Sequence, residues 1–261
     1  MRKDKFPQVP EDPGVRLISG FATIGREDFF EELTDIGRSI GGVDISEQTA
    51  YTLAVSGLCH CGTCSGYEKC NYRAPRHIGD VLSNVYSTGK KSASLVAYAS
   101  QAYNNHQSDD IVLDLGMGAG TCTAAWDLDR CDVLIGTRLG VDIETQALRL
   151  AHAVHPNLQS GPTISDVVIP DNGQLIVLTG LVFNEVSFDV SNSWADAISS
   201  ERDSFTWVDV SYQPIYKPNS SSRPDSFFAR LGYEKTSFFE HEIPSFSGNG
   251  RFVCEAMTWR R

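Results

Sequence analysis

The run from Ile111 to Thr121 limits this chain more than any other stretch. Apolar Ile111, Val112 and Leu113 lead into Asp114 and Leu115. Gly116, Gly118 and Gly120 then alternate with Met117 and Ala119. A short apolar run is how a strand buried in a parallel sheet reads. Glycines directly after it let the backbone turn tightly and let a ligand lie against the main chain, because no Cβ stands in the way. A helix expected from Ala119 to about Leu128 would aim its free N–H groups at that ligand. These residues place a small-molecule site at the end of a central strand.

The spacing narrows the ligand. The dinucleotide fingerprint G-x-G-x-x-G would need a glycine where Thr121 stands. Here the glycines fall as G-x-G-x-G, with Asp114 two residues before the first. That D-x-G-x-G-x-G pattern resembles motif I of the class I S-adenosylmethionine (SAM) methyltransferases. The resemblance implies a Rossmann-like, doubly wound α/β sheet of seven strands whose last pair is antiparallel, with SAM as cofactor.

At 261 residues the chain is one large domain or a domain with an appendage. Hydrophobic residues at 41% and charged ones at 21% suit an ordinary globule with a sizeable core. No apolar run approaches the ~18 residues of a membrane span, so no membrane partner is expected. Met1, Arg2 and Lys3 are followed by no apolar segment, and Asp4, Glu11 and Asp12 arrive early, which points to a cytoplasmic protein. A net charge of −11 argues against a broad basic field gripping nucleic acid, though not against a local patch.

Taken in order, residues 1–20 read as an irregular lead-in. Phe29, Phe30, Leu33, Ile36 and Ile40 fall on one stripe of a helix that ends at Gly41 and Gly42. Ser46 opens a second helix that ends at Gly57. Of seven cysteines, Cys59, Cys61, Cys64 and Cys70 then cluster as C-x-C-x2-C-x5-C, with His60 inside and His77 just beyond. In a cytosolic chain a disulfide framework is a poor explanation. Thiolates suit zinc or an iron–sulfur cluster, and Gly62 and Gly66 let a short loop curl round an ion. The competing reading is four unrelated buried thiols. Helices are expected over Asn71–Ser87 and Lys90–Asn104, so residues 1–105 form a helical, cysteine-containing extension and residues 106–261 the cofactor domain.

From Ile111 onward strands and helices alternate, as in a parallel sheet covered on both faces. Strands are expected at Arg138–Asp142, Thr163–Val168, Leu175–Thr179 and Phe205–Val210. Helices are expected at Glu144–Val154, Ser193–Arg202 and Arg223–Leu231. Phe238–His241 and Phe252–Met257 form a closing hairpin across Gly248 and Gly250.

Three strand ends complete the candidate site. Asp142 stands where an acid takes ribose hydroxyls in doubly wound folds, with a solvated strand-end acid as the alternative. Asp166 could accept from an adenine amino group, with Val167 on the ring. Asn184 and Glu185 follow the fourth strand, where ligands meet open α/β sheets, or else cap a helix. Asp114 would orient the methionine end through the glycine turn. Glu185, Tyr212 and His241 could move a proton.

Tyr72, Arg73, Ala74, Pro75 and Arg76, two helices, the glycine turn and then Ala124, Ala125 and Trp126 resemble the methyltransferase-like proteins associated with the small ribosomal subunit. The segment Leu181–Val186 resembles their stretch after strand four. The resemblance implies ribosomal RNA or the small subunit as acceptor or partner, and a cysteine-bound metal centre. Two functions fit it: a methyltransferase acting on RNA, a protein or a small molecule, or a non-catalytic assembly factor that binds SAM and metal.

Overall fold

A computed structural model of the chain describes residues 89–127, 136–155, 157–184, 186–213, 224–244 and 251–261. The elements are α1 (Gly89–Ala102), β1 (Ile111–Leu115), α2 (Thr121–Asp127), β2 (Arg138–Val141), α3 (Thr145–Val154), β3 (Gln159–Gly161), β4 (Leu175–Gly180), α4 (Phe188–Glu201), β5 (Ser204–Gln213), α5 (Pro224–Arg230), β6 (Glu234–Pro244) and β7 (Arg251–Arg260). Short 3₁₀ turns cover Ile164–Asp166 and Val182–Asn184.

The seven strands lie in the order β3-β2-β1-β4-β5-β7-β6. Strands β1 to β5 pair in parallel, and β7 runs antiparallel to both β5 and β6. This is the seven-stranded mixed α/β sheet with a closing hairpin that the sequence implied. The order reverses at β1 and β4, the position where ligands settle in open α/β sheets.

Helices cover both faces because the central strands are apolar on both sides: β1 is buried along its whole length. On one face Val112, Ile176, Leu178, Val208 and Ala256 pack under α1 and α2. On the other, Leu113, Val177, Trp207 and Trp259 pack under α4 and α5, through Trp194, Ile198 and Phe228. Helix α1 belongs to this core, with Leu95, Val96 and Ala99 fully buried. Residues 1–88 of the expected 1–105 extension, including Cys59, Cys61, Cys64, Cys70, His60 and His77, lie outside the described residues.

One strand was misplaced by the sequence pattern. Thr163–Val168 is not the third strand; β3 is the short edge segment Gln159–Gly161. Pro162 follows it and Thr163 then starts a turn. The Asp166 Oδ2 accepts from Thr163 N at 2.9 Å and Thr163 Oγ1 at 2.7 Å, while Asp166 N donates to Thr163 O. Those bonds satisfy the backbone locally and take it away from a strand ladder. Helix α4 starts earlier than its apolar stripe suggested because Ser187 caps it, its hydroxyl accepting from Val190 N.

Candidate functional site

The C-terminal ends of β1, β2, β4 and β5 form one edge, and the glycine turn sits in its centre. Gly116, Gly118 and Gly120 all have positive φ, at 67°, 55° and 77°. L-residues rarely adopt that conformation, so the glycines are required by the backbone itself. Gly116 and Met117 donate to Val141 O at 2.7 and 3.1 Å, tying the turn to β2. A Cβ on Gly116 would stand 2.3 Å from Val182 Cγ2, so the turn also locks against the segment after β4. A Cβ on Gly118 would meet nothing within 4 Å. The middle glycine therefore borders open space, as a backbone that must receive a ligand should.

Met117 points the other way. It is buried with Ala151 and Leu158 behind the turn. A Cβ on Gly140 would come 1.9 Å from its sulfur. Gly140 in the middle of β2 thus leaves the hole that the Met117 side chain fills, a pairing no sequence pattern announced.

Two of the acids expected from the sequence, Asp114 and Asp142, lie close together at this edge. Asp142 follows β2; its Oδ2 accepts from Gly118 N at 2.7 Å and its Oδ1 from Glu144 N at 2.8 Å. Burial raises its pKa, against which the backbone donors of Glu144, Gly118 and Ile143 act. A carboxylate offers about four acceptor sites, and these three donors do not fill them all. Asp114 is buried beneath the turn, with Oδ2 accepting from Thr123 N and Oγ1. Asp166 lies exposed on the 3₁₀ turn after β3, held by Thr163. The backbone of Asn184 ends the turn after β4. Glu185 and the side chains of Asn184 and Tyr212 lie outside the described residues.

His241 is on β6, four strands from β1 and so about 19 Å across the sheet. Its ring packs on Tyr98 and Phe239. It is remote from the glycine turn.

Several residues at the edge escaped the sequence reading. Ile143, directly after Asp142, is 77% exposed, an apolar side chain with no core to join. Its signal was present as an isoleucine beside a strand-end acid. At the ends of β4 and β5, Thr179 Oγ1 donates to Asp209 Oδ1 at 2.6 Å and Ser211 Oγ to Asp209 Oδ2 at 2.5 Å. Trp207 Nε1 donates to Thr179 Oγ1 at 2.9 Å. Trp207 in turn stacks on Phe183, 5.9 Å between ring centres, in the turn after β4. Leu181 enters that turn with φ of 63°, the one non-glycine positive φ among the described residues, and donates to Val210 O.

No family model matches the chain, and no curated protein matches it. Solved structures do. M. jannaschii TYW2 in complex with AdoMet is 12% identical, with a TM-score of 0.47, over 67% of this chain and 76% of that one. P. horikoshii TYW2 in complex with MeSAdo is 11% identical, with a TM-score of 0.45, over 66% of this chain. This chain spans 63% of the latter's length, less than two thirds. A SAM dependent methyltransferase from Aquifex aeolicus is 13% identical, with a TM-score of 0.42, over 62% and 88% of the two chains. The fold itself is defined by the strand order and the glycine turn rather than by these likenesses.

Among the described residues, no group of three or more His, Cys, Asp or Glu side chains could hold a metal ion. Cys122 and Cys254 are free and buried. No described helix is long and apolar enough to cross a membrane.

Proposed function

We propose that the chain is a class I SAM-dependent methyltransferase acting in the cytoplasm. The observation that carries this reading is the pairing of Gly118 with Asp142. A glycine with open space on its Cβ side donates its N–H to an acid at the end of the neighbouring strand, and that acid keeps acceptor capacity beyond its backbone donors.

These residues fit a nucleoside carrying an amino-acid tail. Asp142 would accept from the ribose hydroxyls, and exposed Ile143 would lie against the adenine face. Asp166, with Val167, would stand at the adenine edge. Gly116, Gly118 and Gly120 would let the tail cross the main chain, with Asp114 below it. Asn184, at the end of the turn after β4, would be a further residue of the cofactor site. When bound, SAM supplies a methyl group on a sulfonium sulfur, open to in-line displacement by an acceptor nucleophile. The chain's part is then to hold donor and acceptor in line and to keep water out, and positioning supplies much of the rate.

The acceptor we propose is ribosomal RNA of the small subunit, on the resemblance in Tyr72–Trp126 and Leu181–Val186. The same resemblance and the C-x-C-x2-C-x5-C spacing support a zinc or iron–sulfur centre on Cys59, Cys61, Cys64 and Cys70. The test is transfer of labelled methyl from SAM to small-subunit ribosomal RNA, protein and small-molecule pools. Label in the RNA is the expected result. SAM binding with no transfer to any pool would instead favour an assembly factor that keeps the cofactor but does no chemistry. Visible absorbance after anaerobic purification would distinguish iron–sulfur from colourless zinc.

A further inference from the structure

Leu181, the first residue past β4, has a φ of 63°, a left-handed backbone that glycine adopts freely and a leucine does not. A side chain held in that region is an outlier that its surroundings must enforce, and such residues gather where a site depends on its geometry. Two contacts enforce this one. Its N–H donates to Val210 O at 2.8 Å on β5, and its side chain is buried in the core beneath α1 and α2. Gly180, just before it, passes so close to α2 that a Cβ there would stand 2.7 Å from Cys122 Sγ. The strain therefore sits between fixed points, at the edge that carries the glycine turn.

The left-handed residue moves the chain from one face of the sheet to the other. Leu181 belongs to the core on the α1 side, whereas Val182 and Phe183 pack against the core on the α4 side. Val182 comes to lie over Gly116, its Cγ2 2.3 Å and its Cβ 3.0 Å from where a Cβ on that glycine would stand. Phe183 continues onto Trp207 and meets Trp194 edge-on, 6.4 Å between ring centres. Val186 N then donates to Val182 O at 3.0 Å. A glycine fixes little of its own backbone, because it has no side chain to restrict φ. At Gly116 that restriction comes from outside: β2 takes its N–H at Val141 O, and Val182 fills the place of the missing Cβ.

We propose that Leu181 is a positioning residue for the cofactor: its left-handed backbone sets Val182 on Gly116 and so holds the glycine turn in its binding shape before anything docks. The inference rests on the cofactor reading above and adds to it the source of the turn's preorganisation, in a residue that acts through its neighbour. A turn ordered in advance loses no freedom when the ligand arrives, and no fraction of the chains is misplaced and unable to bind. A leucine that merely filled the core would behave differently. Its truncation would lower stability, more with glycine than with alanine, and would leave the affinity of the folded protein unchanged.

The experiment is calorimetric titration of S-adenosylhomocysteine into the folded full chain and its variants, with hydrogen exchange at the Gly116 amide read in the free protein. Leu181→Ala loses the buried side chain and keeps a residue that resists positive φ. Leu181→Gly loses slightly more and accepts that φ without strain. The expected order is the reverse of what packing alone gives. Alanine relaxes the backbone, frees Val182 and weakens binding about tenfold, while glycine stays within about threefold of the parent. Exchange at Gly116 speeds up in Leu181→Ala and not in Leu181→Gly. Val182→Ala should weaken binding about tenfold by itself, and Val182→Thr, which keeps the branched shape, should not. Combining Leu181→Ala with Val182→Ala should add nothing further, because the first acts through the second. The Val182 pair answers the same question if Leu181→Ala does not fold. Equal affinities within either pair of variants, or losses that multiply in the double variant, would overturn the positioning role and leave the cofactor reading standing. Folded parent protein that binds no S-adenosylhomocysteine would overturn the cofactor reading, and this inference with it.

Discussion

The two halves of the site edge are built on opposite plans. At the ends of β1 and β2 the main chain is bare. Three left-handed glycines turn in succession, and Asp142 and Asp114 take hydrogen bonds mostly from backbone amides. At the ends of β4 and β5 the polar groups are side chains that satisfy one another: Trp207 to Thr179, then Thr179 and Ser211 to Asp209, all buried. The first half keeps acceptor capacity for something outside the protein. The second spends its polar groups holding the turn that carries Phe183 and Asn184. On the proposed reading, binding and positioning are divided between neighbouring strand pairs, with the Val182 contact on Gly116 as the seam.

The largest effect should come from Asp142→Ala, which breaks the binding half. Losing two charge-assisted hydrogen bonds to ribose hydroxyls costs about 3 kcal/mol, or roughly a hundredfold in affinity for S-adenosylhomocysteine by calorimetry. Nearly unchanged affinity would remove Asp142 from the site.

Gly116→Ala tests the seam. A left-handed alanine costs ~1–2 kcal/mol and overlap with Val182 a further ~1–3, so a stability loss of about 2–4 kcal/mol is expected in denaturant unfolding. Adding Val182→Ala should recover the steric part and leave the conformational one. Gly118→Ala, with open space on its Cβ side, should lose only the conformational part, about 1–2 kcal/mol, while ligand affinity falls.

Thr179→Val sharpens the other side of the comparison. It takes from Asp209 a buried donor and from Trp207 an acceptor, at a cost of about 1–3 kcal/mol of stability. Affinity for S-adenosylhomocysteine should stay within about twofold, since the hydroxyl faces the positioning half. A tenfold loss would mean that the two halves are not separate.

The last expected effect is on the free protein's stability against pH. The folded-state pKa of Asp114 lies above its unfolded value, so the unfolded chain holds fewer protons between about pH 4 and 7. Its contribution to stability is then full below about pH 4 and is lost as pH rises through about 7. Asp142 and Asp110 are also raised by burial and act in the same direction. Melting temperatures should therefore fall from pH 5 to pH 7.5, and the fall should be shallower in Asp114→Asn.

The binding half was legible in the sequence because its parts are contiguous. Asp114, Gly116, Gly118 and Gly120 fall within a few residues, and Asp142 ends an apolar run. Glycines that turn a backbone declare themselves by position, whatever packs around them. Gly140 did not, because its reason is Met117, a residue 23 positions earlier that meets it only in the folded sheet. The Thr179–Asp209 bond joins residues 30 apart and was equally silent. Strand β3 was lost for a local reason: Gln159, Ser160 and Gly161 carry no apolar alternation, while the neighbouring Ile164, Val167 and Val168 imitate it in a turn held by Thr163 and Asp166.

The central claim is that bare backbone at Gly116–Gly120, backed by Asp142, holds SAM. Amide resonances of the isotope-labelled chain, followed as SAM is added, test it most directly. Saturable shifts at Gly116, Gly118, Gly120 and Ile143, with β6 and β7 unmoved, are the result expected. A folded protein whose glycine-turn amides stay still at saturating SAM would contradict it.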